Sequence, residues 1–286
     1  MMKILVLGHK GQIGSDFCRL AKEEGHEIRG LDIAGDERFD LRLEHKWPEL
    51  ADHMKWAHVV LSLAFDVGGS QYLKKHEHTY EYLEDNNAIM FNVFRALRIA
   101  KVPFINGSSQ MSNMIHSPYG MLKRISEFYT TSLNGINVRF WNVYGHETNP
   151  DKFHVITDFI NMARNEGVIH MKSHGNETRY FMHVLDCSQT LLAICKNYDK
   201  AKEYIQDNEW DLKAIDISWP SPTAIQYIAK VIGDMYDVPI YAQLGLKGGD
   251  TQMGMRNTPM MMGTMQFHNP TIDIEEGIKM IDQAMK

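Results

Sequence analysis

The sequence has little cysteine, little proline, no long apolar run and no surplus of positive charge. Its three cysteines, Cys18, Cys187 and Cys195, are widely separated, with no pair at metal-ligand spacing. That excludes a disulfide framework and a cysteine-built zinc site, and it fits reduced thiols in a cytoplasmic protein. The first apolar run, Ile4–Leu7, is too short for a signal-peptide core and runs straight into glycines. Nothing approaches the length of a membrane span. Lysine and arginine number 30 against 36 aspartates and glutamates, a formal charge of −6. This balance excludes a general binder of nucleic acid or anionic membrane. An anionic ligand must then be held locally, by backbone amides and a few placed cations. The histidines, His76 and His78 included, show no metal-ligand spacing, and there is no internal repeat.

What is present is a 286-residue chain, 44% hydrophobic, enough for one large or two modest domains with an ample core. Lys3–Leu7 reads as a buried parallel strand. Gly8-His-Lys-Gly11-Gln-Ile-Gly14 follows at once, then an amphipathic helix to about Glu24 and a second strand over His26–Asp32. Strand, glycine turn, helix, strand and acid, in that order, match a dinucleotide-binding unit. Gly8 permits the tight turn, Gly11 lets backbone approach a pyrophosphate drawn to the helix N-terminus, and Gly14 packs helix on strand. Asp32 can accept hydrogen bonds from both ribose hydroxyls and would repel a 2′-phosphate.

Asp40-Leu41 follows an expected short third strand, where it can flank an adenine or be an ordinary loop. His58–Leu63 is the fourth strand and opens into the small-residue run Ala64–Gly69. A long helix covers about Tyr80–Ala100. Pro103–Asn106 is the fifth strand and delivers Ser108 and Ser109. A helix opens at Tyr119, and Asn137–Phe140 is the sixth strand. The βα alternation predicts a parallel doubly wound α/β sheet with ligand at its carboxyl edge. After Gly145 the pattern changes. Helices over His154–Asn165, Thr223–Tyr236 and Ile274–Met285, with short strands between, predict a smaller α+β unit over that edge. Lys247–Met265 reads as loop.

Tyr119 and Lys123 are four apart, which puts both on one helix face. A lysine ammonium beside a phenol favours the phenolate, so the tyrosine can exchange protons. A serine hydroxyl nearby can steady a substrate oxygen. Taken alone the pair is common on helix surfaces, and its meaning depends on the surroundings.

Those surroundings resemble the extended short-chain dehydrogenase/reductases, specifically the NAD-dependent nucleotide-sugar epimerases, dehydratases and reductases. The likeness runs nearly end to end. It rests on Gly8-x-x-Gly11-x-x-Gly14, Asp32, Asp40-Leu41, Leu63-Ala64, Asn86, Ser108-Ser109, Pro118-Tyr119-Gly-x-x-Lys123, Arg139-Phe-x-Asn142-Val-Tyr-Gly145, Gly175-x-x-x-Arg179-x-Phe-x-His-Val-x-Asp186 and Glu275-Glu-Gly277, in family order. Ala64–Ser70 is most similar to the GDP-sugar members. The resemblance implies a Rossmann unit over 1–143 that binds NAD. It implies a mainly nucleotide-sugar-binding unit over 144–286, with the chain free to cross back. It assigns the cofactor to Gly8, Gly11, Gln12, Ile13, Gly14, Asp32, Asp40, Leu41, Leu63, Ala64, Phe65, Asn86, Tyr119 and Lys123. It assigns the nucleotide diphosphate to Asn142, Arg179 and Lys247, and catalysis to Tyr119, Lys123 and Ser109, with Ser108 as the alternative serine. It also implies a homodimer through the helices at Tyr80–Ala100 and Tyr119–Ser132, to which Ile89, Phe91, Val93, Phe94 and Leu97 supply apolar surface.

The departures bear on the reaction. Ser112-Asn113 stands where the family usually has Val-Tyr-Gly, and most of the loop before the tyrosine is missing. Gln110 and Met111 replace the acidic pair of the dehydratases, and Met111 replaces the cysteine of the 3,5-epimerase and fucose synthase. Lys247 stands for a family arginine. His154 resembles the fucose synthase general acid, and otherwise reads as a polar helix-start residue. The implied activity is an NAD-dependent epimerase acting at C4 of a nucleotide-diphosphate sugar through a transient 4-keto sugar. A 4-keto-sugar reductase and a non-catalytic dinucleotide sensor are the alternatives.

Overall fold

The structure, a computed structural model, describes residues 1–35, 38–147, 149–207, 214–242, 258–259 and 265–286. Strand β1 (Lys3–Leu7) alternates without a polar break: Ile4 and Val6 enter one core, Leu5 and Leu7 the other, and all four are fully buried. A strand buried on both faces belongs in the middle of a layered sheet. Each such side chain contributes roughly 1.5–3 kcal/mol of burial, and a one-residue slip would exchange the two faces.

Around β1 the chain builds a six-stranded sheet in which every pairing is parallel. Its order is β10 (Ala214–Ile217), β5 (Ile136–Phe140), β4 (Phe104–Ser109), β3 (Val59–Ser62), β1 and β2 (Glu27–Leu31). This is the α/β Rossmann architecture. One face is covered by α1 (Gln12–Glu23), α7 (Val184–Lys196) and α8 (Tyr198–Asp207), which bury Phe17, Cys187, Leu191 and Ala201. The other is covered by α2 (Trp47–Trp56) and α4 (Tyr80–Ala100), which bury Leu50, Met54, Val93, Phe94 and Leu97. Helix α5 (Pro118–Ser132) follows β4 and crosses beside α4.

One expectation changes here, and the chain crosses back once. The short third strand before Asp40 is a single bridge between Asp32 and Arg38. Gly35 there takes φ +97°, and the Asp32 carboxylate accepts the Ala34 N–H, so the chain turns instead of extending. The late strand at Ala214 joins the main sheet beside β5, so the last third of the chain contributes to the first layer.

Beyond β5 lie β6 (Asn142–Tyr144), α6 (Val155–Glu166), β7 (Ile169–Met171), β8 (Thr178–Arg179), β9 (Phe181–His183), β11 (Thr223–Ala224), α9 (Ile225–Tyr236) and β12 (Ile240–Ala242). They form three two-stranded pairings, β6 with β9, β7 with β12 and β8 with β11. A separate core of Ile156, Phe159, Ile160, Phe181, Ile228, Ile232 and Ile278 binds them to the final helix, Ile274–Ala284. Among the described residues no helix is long and apolar enough to cross a membrane.

Candidate active site

A cleft of about 1000 Å³ runs along the carboxyl ends of β1 to β5. Strand order reverses between β1 and β3, and ligands of open α/β sheets bind at that switch point. Gly8 ends β1 with φ +82°, and a Cβ there would lie 2.8 Å from Ala64 N in the loop after β3. A Cβ on Gly14 would lie 2.2 Å from Gly8 O. No other residue fits either place. Gln12 Nε2 is buried at the start of α1 with no hydrogen-bond partner, a donor left for a ligand. These features fit a dinucleotide.

Gly8, Gly11, Gln12, Ile13, Gly14, Asp32, Asp40, Leu41, Leu63, Ala64 and Phe65 all line the cleft. Asp32 accepts Lys10 N–H at 2.8 Å and Ala34 N–H at 3.0 Å, which fixes its carboxylate at the end of β2. Asp40 is gripped by Arg42 through two hydrogen bonds, Nε to Oδ1 at 3.0 Å and Nη2 to Oδ2 at 2.9 Å. The guanidinium holds the Asp40 carboxyl below its ordinary range. Arg42 also reaches Asp85 at 2.8 Å. Asn86 is placed differently from the expectation. It is fully buried behind the cleft wall, where it accepts Asp66 N–H at 2.8 Å and donates to Tyr82 O and Asp66 O. Its work is to pin the loop after β3.

The shortened loop between β4 and α5 is legible in the geometry. Gln110–Asn113 form one 3-10 turn, and Ser109 Oγ caps it by accepting Met111 N–H at 3.2 Å. The turn lies directly on α5, where a Cβ on Gly120 would sit 2.3 Å from Met111 O. Glycine after the tyrosine therefore allows a short connection to deliver Tyr119. Ser117 caps α5 and Pro118 opens it.

Adjacent strand residues face opposite ways, and this separates the two serines. Ser109 lines the cleft beside Tyr119 and favours the ionised phenol. Ser108 donates to Glu127 Oε1 at 2.6 Å, inside a buried network in which Arg139 grips the same carboxylate at 2.7 and 2.8 Å. Arg139 and Glu127 are 1% and 0% exposed. Asn137 donates to Glu127 O, and Asn106 donates to Asn137 and Ser126. The network locks β4, β5 and α5 together beneath the cleft.

Tyr119 and Lys123 share a face of α5, with Lys123 Nζ 5.9 Å from the centre of the Tyr119 ring. Lys123 Nζ donates to Gly107 O at 2.8 Å and lies 3.8 Å from the centre of the Phe65 ring. Burial pushes the lysine down to about 7, against the pull of Glu127. Burial pushes the Tyr119 phenol up to about 12, while Ser109 acts in the opposite direction and the Glu77 carboxylate adds to the rise. A dry site disfavours ammonium and phenolate alike.

On the far side of the cleft, His154 stands just before α6, makes no side-chain capping bond, and lies with Nδ1 2.5 Å from Glu147 Oε1. Glu147 also accepts the His154 N–H and the Thr157 hydroxyl, and these bonds hold its carboxyl low despite burial. The loop after β3 meets this segment. Lys152 Nζ pairs with Asp66 at 2.6 Å, Tyr72 donates to Asp66, and Gly69 lies against Phe153 O, where a Cβ would come within 2.3 Å. Asn142 lines the cleft. Arg179 does not. It sits on β8 and donates to Thr178 O. Lys247 lies outside the described residues. No group of three histidine, cysteine, aspartate or glutamate side chains among the described residues is arranged for a metal ion.

Arg42, Asp85, Asp66, Lys152, Glu77 and Glu147 were not found by sequence reasoning. Glu147 carried a local signal, its position two residues after the Gly145 motif, and Asp66 lies within the Ala64–Ser70 stretch that the sequence singled out.

Solved structures align over nearly the whole chain. A UDP-glucose 4-epimerase from Thermotoga maritima, in complex with UDP-glucose, has a TM-score of 0.79 at 18% identity, covering 99% of this chain and 98% of that one. A GDP-6-OMe-4-keto-L-xylo-heptose reductase from C. jejuni has a TM-score of 0.81 at 15% identity, covering 99% and 97%. A UDP-N-acetylglucosamine 4-epimerase from Bacillus cereus has a TM-score of 0.72 at 14% identity and full coverage of both chains. At these identities the likeness is one of fold. No curated protein sequence matches the chain. The model of the NAD dependent epimerase/dehydratase family matches residues 4–206, well over half of the sequence, and covers both the glycine turn and the Tyr119–Lys123 helix: the chain belongs to that family.

Proposed function

We propose that the protein is an NAD-dependent nucleotide-sugar epimerase acting at C4. The observation that carries this reading is the Ser109–Tyr119 hydroxyl pair at the end of β4, in the same cleft as the Gly8–Gly14 turn. NAD, when bound, supplies a hydride acceptor that can return the hydride. Gly8, Gly11, Gln12 and Gly14 hold its pyrophosphate, and Asp32 its adenosine ribose. Tyr119 takes the proton of the sugar hydroxyl and gives it back, Ser109 steadies that oxygen, and Lys123 holds the nicotinamide ribose and favours the phenolate once charged. Asn142 faces the nucleotide sugar. Residues 1–143 carry most of the cofactor side, and the later residues most of the substrate side. In the absence of an acidic pair next to Ser109, with Gln110 and Met111 there instead, 4,6-dehydration is disfavoured.

A second reading, a 4-keto-sugar reductase, is favoured by the Glu147–His154 pair. A carboxylate at Nδ1 orients the imidazole, as a general acid requires. The experiment that separates the readings is turnover of a panel of UDP-, GDP-, dTDP- and CDP-sugars with NMR of the products. An epimer formed without net oxidation of NAD(P)H supports the first reading. Stoichiometric oxidation of the reduced cofactor supports the second. Inertness toward the whole panel, with NAD bound, would favour a dinucleotide sensor.

A further inference from the structure

Glu77 follows α3 (Ser70–His76) and is 6% exposed, a carboxylate where charge is costly. Its Oε2 accepts the Ser117 hydroxyl at 2.6 Å and the Tyr119 backbone N–H at 3.3 Å. Ser117 Oγ in turn accepts Gly120 N–H at 3.1 Å. Pro118 has no N–H to satisfy. The donors in the first turn of α5 are thus taken by its own cap and by a carboxylate 42 residues upstream of the tyrosine. The helix N-terminus stabilises that negative charge.

A serine or asparagine would cap the same donors without burying a charge. The carboxylate adds two things. It stands at the end of the helix whose other end, with Gly69, Ser70 and Leu73, lines the cleft. It also reaches the backbone N–H of Tyr119, from where it adds to the rise of that residue's phenol. The other polar groups facing that phenol are Ser109 from β4, Lys123 from α5 and Tyr82 from α4. Burial pushes the Tyr82 phenol far up, so it stays neutral and supplies no competing charge. The other Glu77 oxygen lies 3.9 Å from the exposed His78 ring.

We propose that Glu77 is a positioning residue that ties the cleft-lining helix α3 to the first turn of α5 and holds a negative charge beside Tyr119. The proposal rests on Tyr119 as the proton-exchanging group. Helix α3 and Tyr119 then move as one body, and the charge opposes premature ionisation of the phenol.

The test pairs Glu77→Gln, which keeps an acceptor and removes the charge, with Glu77→Asp, which keeps the charge and shortens the reach. In the NAD-loaded protein, with the nucleotide sugar it turns over, the rising limb of kcat/KM against pH reports the essential base. Glu77→Gln should move that limb to lower pH by roughly half a unit or more. Glu77→Asp should lower kcat several-fold and leave the limb in place. A simple structural cap would lower kcat in both without moving the limb, and that result overturns the proposal.

Isotope-labelled tyrosine gives a readout independent of turnover, with the Tyr119 resonance identified by its loss in Tyr119→Phe. Its titration midpoint must fall in Glu77→Gln, and an unmoved midpoint overturns the proposal whether or not a substrate is known. A lowered midpoint together with full turnover in Tyr119→Phe would keep the link to Glu77 and sink the catalytic reading instead. Should Glu77→Gln not fold, Ser117→Ala carries the test. It must lose kcat several-fold, and wild-type kcat there overturns the positioning role.

Discussion

Ser108 and Ser109 are neighbours in β4 yet turn to different partners on α5. Ser108 donates to the buried Glu127–Arg139 pair, and Ser109 meets Tyr119 in the cleft. Their alanine variants should therefore fail in different ways. Ser109→Ala is expected to lower turnover by about 10²-fold with little change in melting temperature. Ser108→Ala removes a hydrogen bond to a buried carboxylate and should cost about 1.5–3 kcal/mol of stability. Its turnover per folded molecule should stay close to wild type. Urea melts and initial rates on the two variants decide it, and a larger rate loss for Ser108→Ala would reverse the assignment.

Lys123 makes stability depend on pH in a direction that can be worked out. Its ordinary pKa of 10.5 falls to about 7 on burial. Between those values the unfolded chain carries a proton that the folded chain lacks. Stability from this group is full above the unfolded value and is lost as pH falls toward about 7, at about 1 kcal/mol per pH unit. Urea melts of the cofactor-free protein at several alkaline pH values should show this slope, and Lys123→Met should lose it. Equal slopes would show that Lys123 is charged when folded. If Lys123 is instead neutral in the cofactor-free protein and its ammonium holds the nicotinamide ribose, NAD binding near pH 8 must take up protons, visible as buffer-dependent heats in calorimetry.

The parts legible in the sequence are those made by local spacing. The glycine turn, the acid closing β2 and the tyrosine–lysine pair each lie within a few residues of one another, and periodicity alone places them on a strand end or one helix face. Partners brought together by packing left no such trace. Glu77 meets Ser117 across 40 residues, Arg42 meets Asp85 across 43 and Lys152 meets Asp66 across 86. Ala214–Ile217 was readable as a strand, but its place beside β5 depends on where the intervening chain runs. The two serines show the limit most sharply. A strand alternates with period two, so a register uncertain by one residue inverts which hydroxyl faces the cleft. Asn86 and Arg179 have suitable chemistry for the cleft, and the fold puts both off its wall.

Asp32 is expected to set the cofactor preference. Both of its oxygens already accept backbone amides, so the carboxylate cannot swing away from a 2′-phosphate. Arg42, one of the cations nearby with Lys10 and Arg38, is held by Asp40 and Asp85 and is not free to receive that phosphate. NAD⁺ should bind roughly tenfold or more tightly than NADP⁺ by calorimetry. Equal affinities would remove Asp32 from the ribose site.

A homodimer is expected through α4 and α5, by a narrower set of residues than the sequence implied. Val93, Phe94 and Leu97 are spent in the chain's own core. Phe91 on α4 and Met121, Ile125 and Phe128 on α5 remain between 40% and 59% exposed. A shared apolar stripe on adjacent helices suits a two-fold contact. Light scattering should give twice the chain mass at micromolar concentration, and Phe91→Glu with Phe128→Glu should give the monomer. A wild-type monomer at that concentration ends the dimer reading.

The catalytic assignment is tested at Tyr119 and His154 together. Tyr119→Phe removes one oxygen and keeps the ring that packs edge-on against Phe65, so the fold and the nucleotide-sugar affinity should persist. If that oxygen is the general base, turnover falls by about 10²–10⁴-fold. The wild-type rate should climb with pH, because burial pushes the phenol up to about 12 and only its ionised form takes the proton. His154→Gln keeps a hydrogen-bonding side chain at the start of α6 but cannot donate a proton as an acid. An epimerase that moves protons through Tyr119 and Ser109 should tolerate it within several-fold. A reductase that needs the Glu147–His154 pair should lose most of its activity, and Glu147→Gln should reproduce part of that loss because it leaves the imidazole without its charged partner. Near-wild-type turnover in Tyr119→Phe on an identified substrate would show the mechanism to be wrong while leaving the family membership untouched.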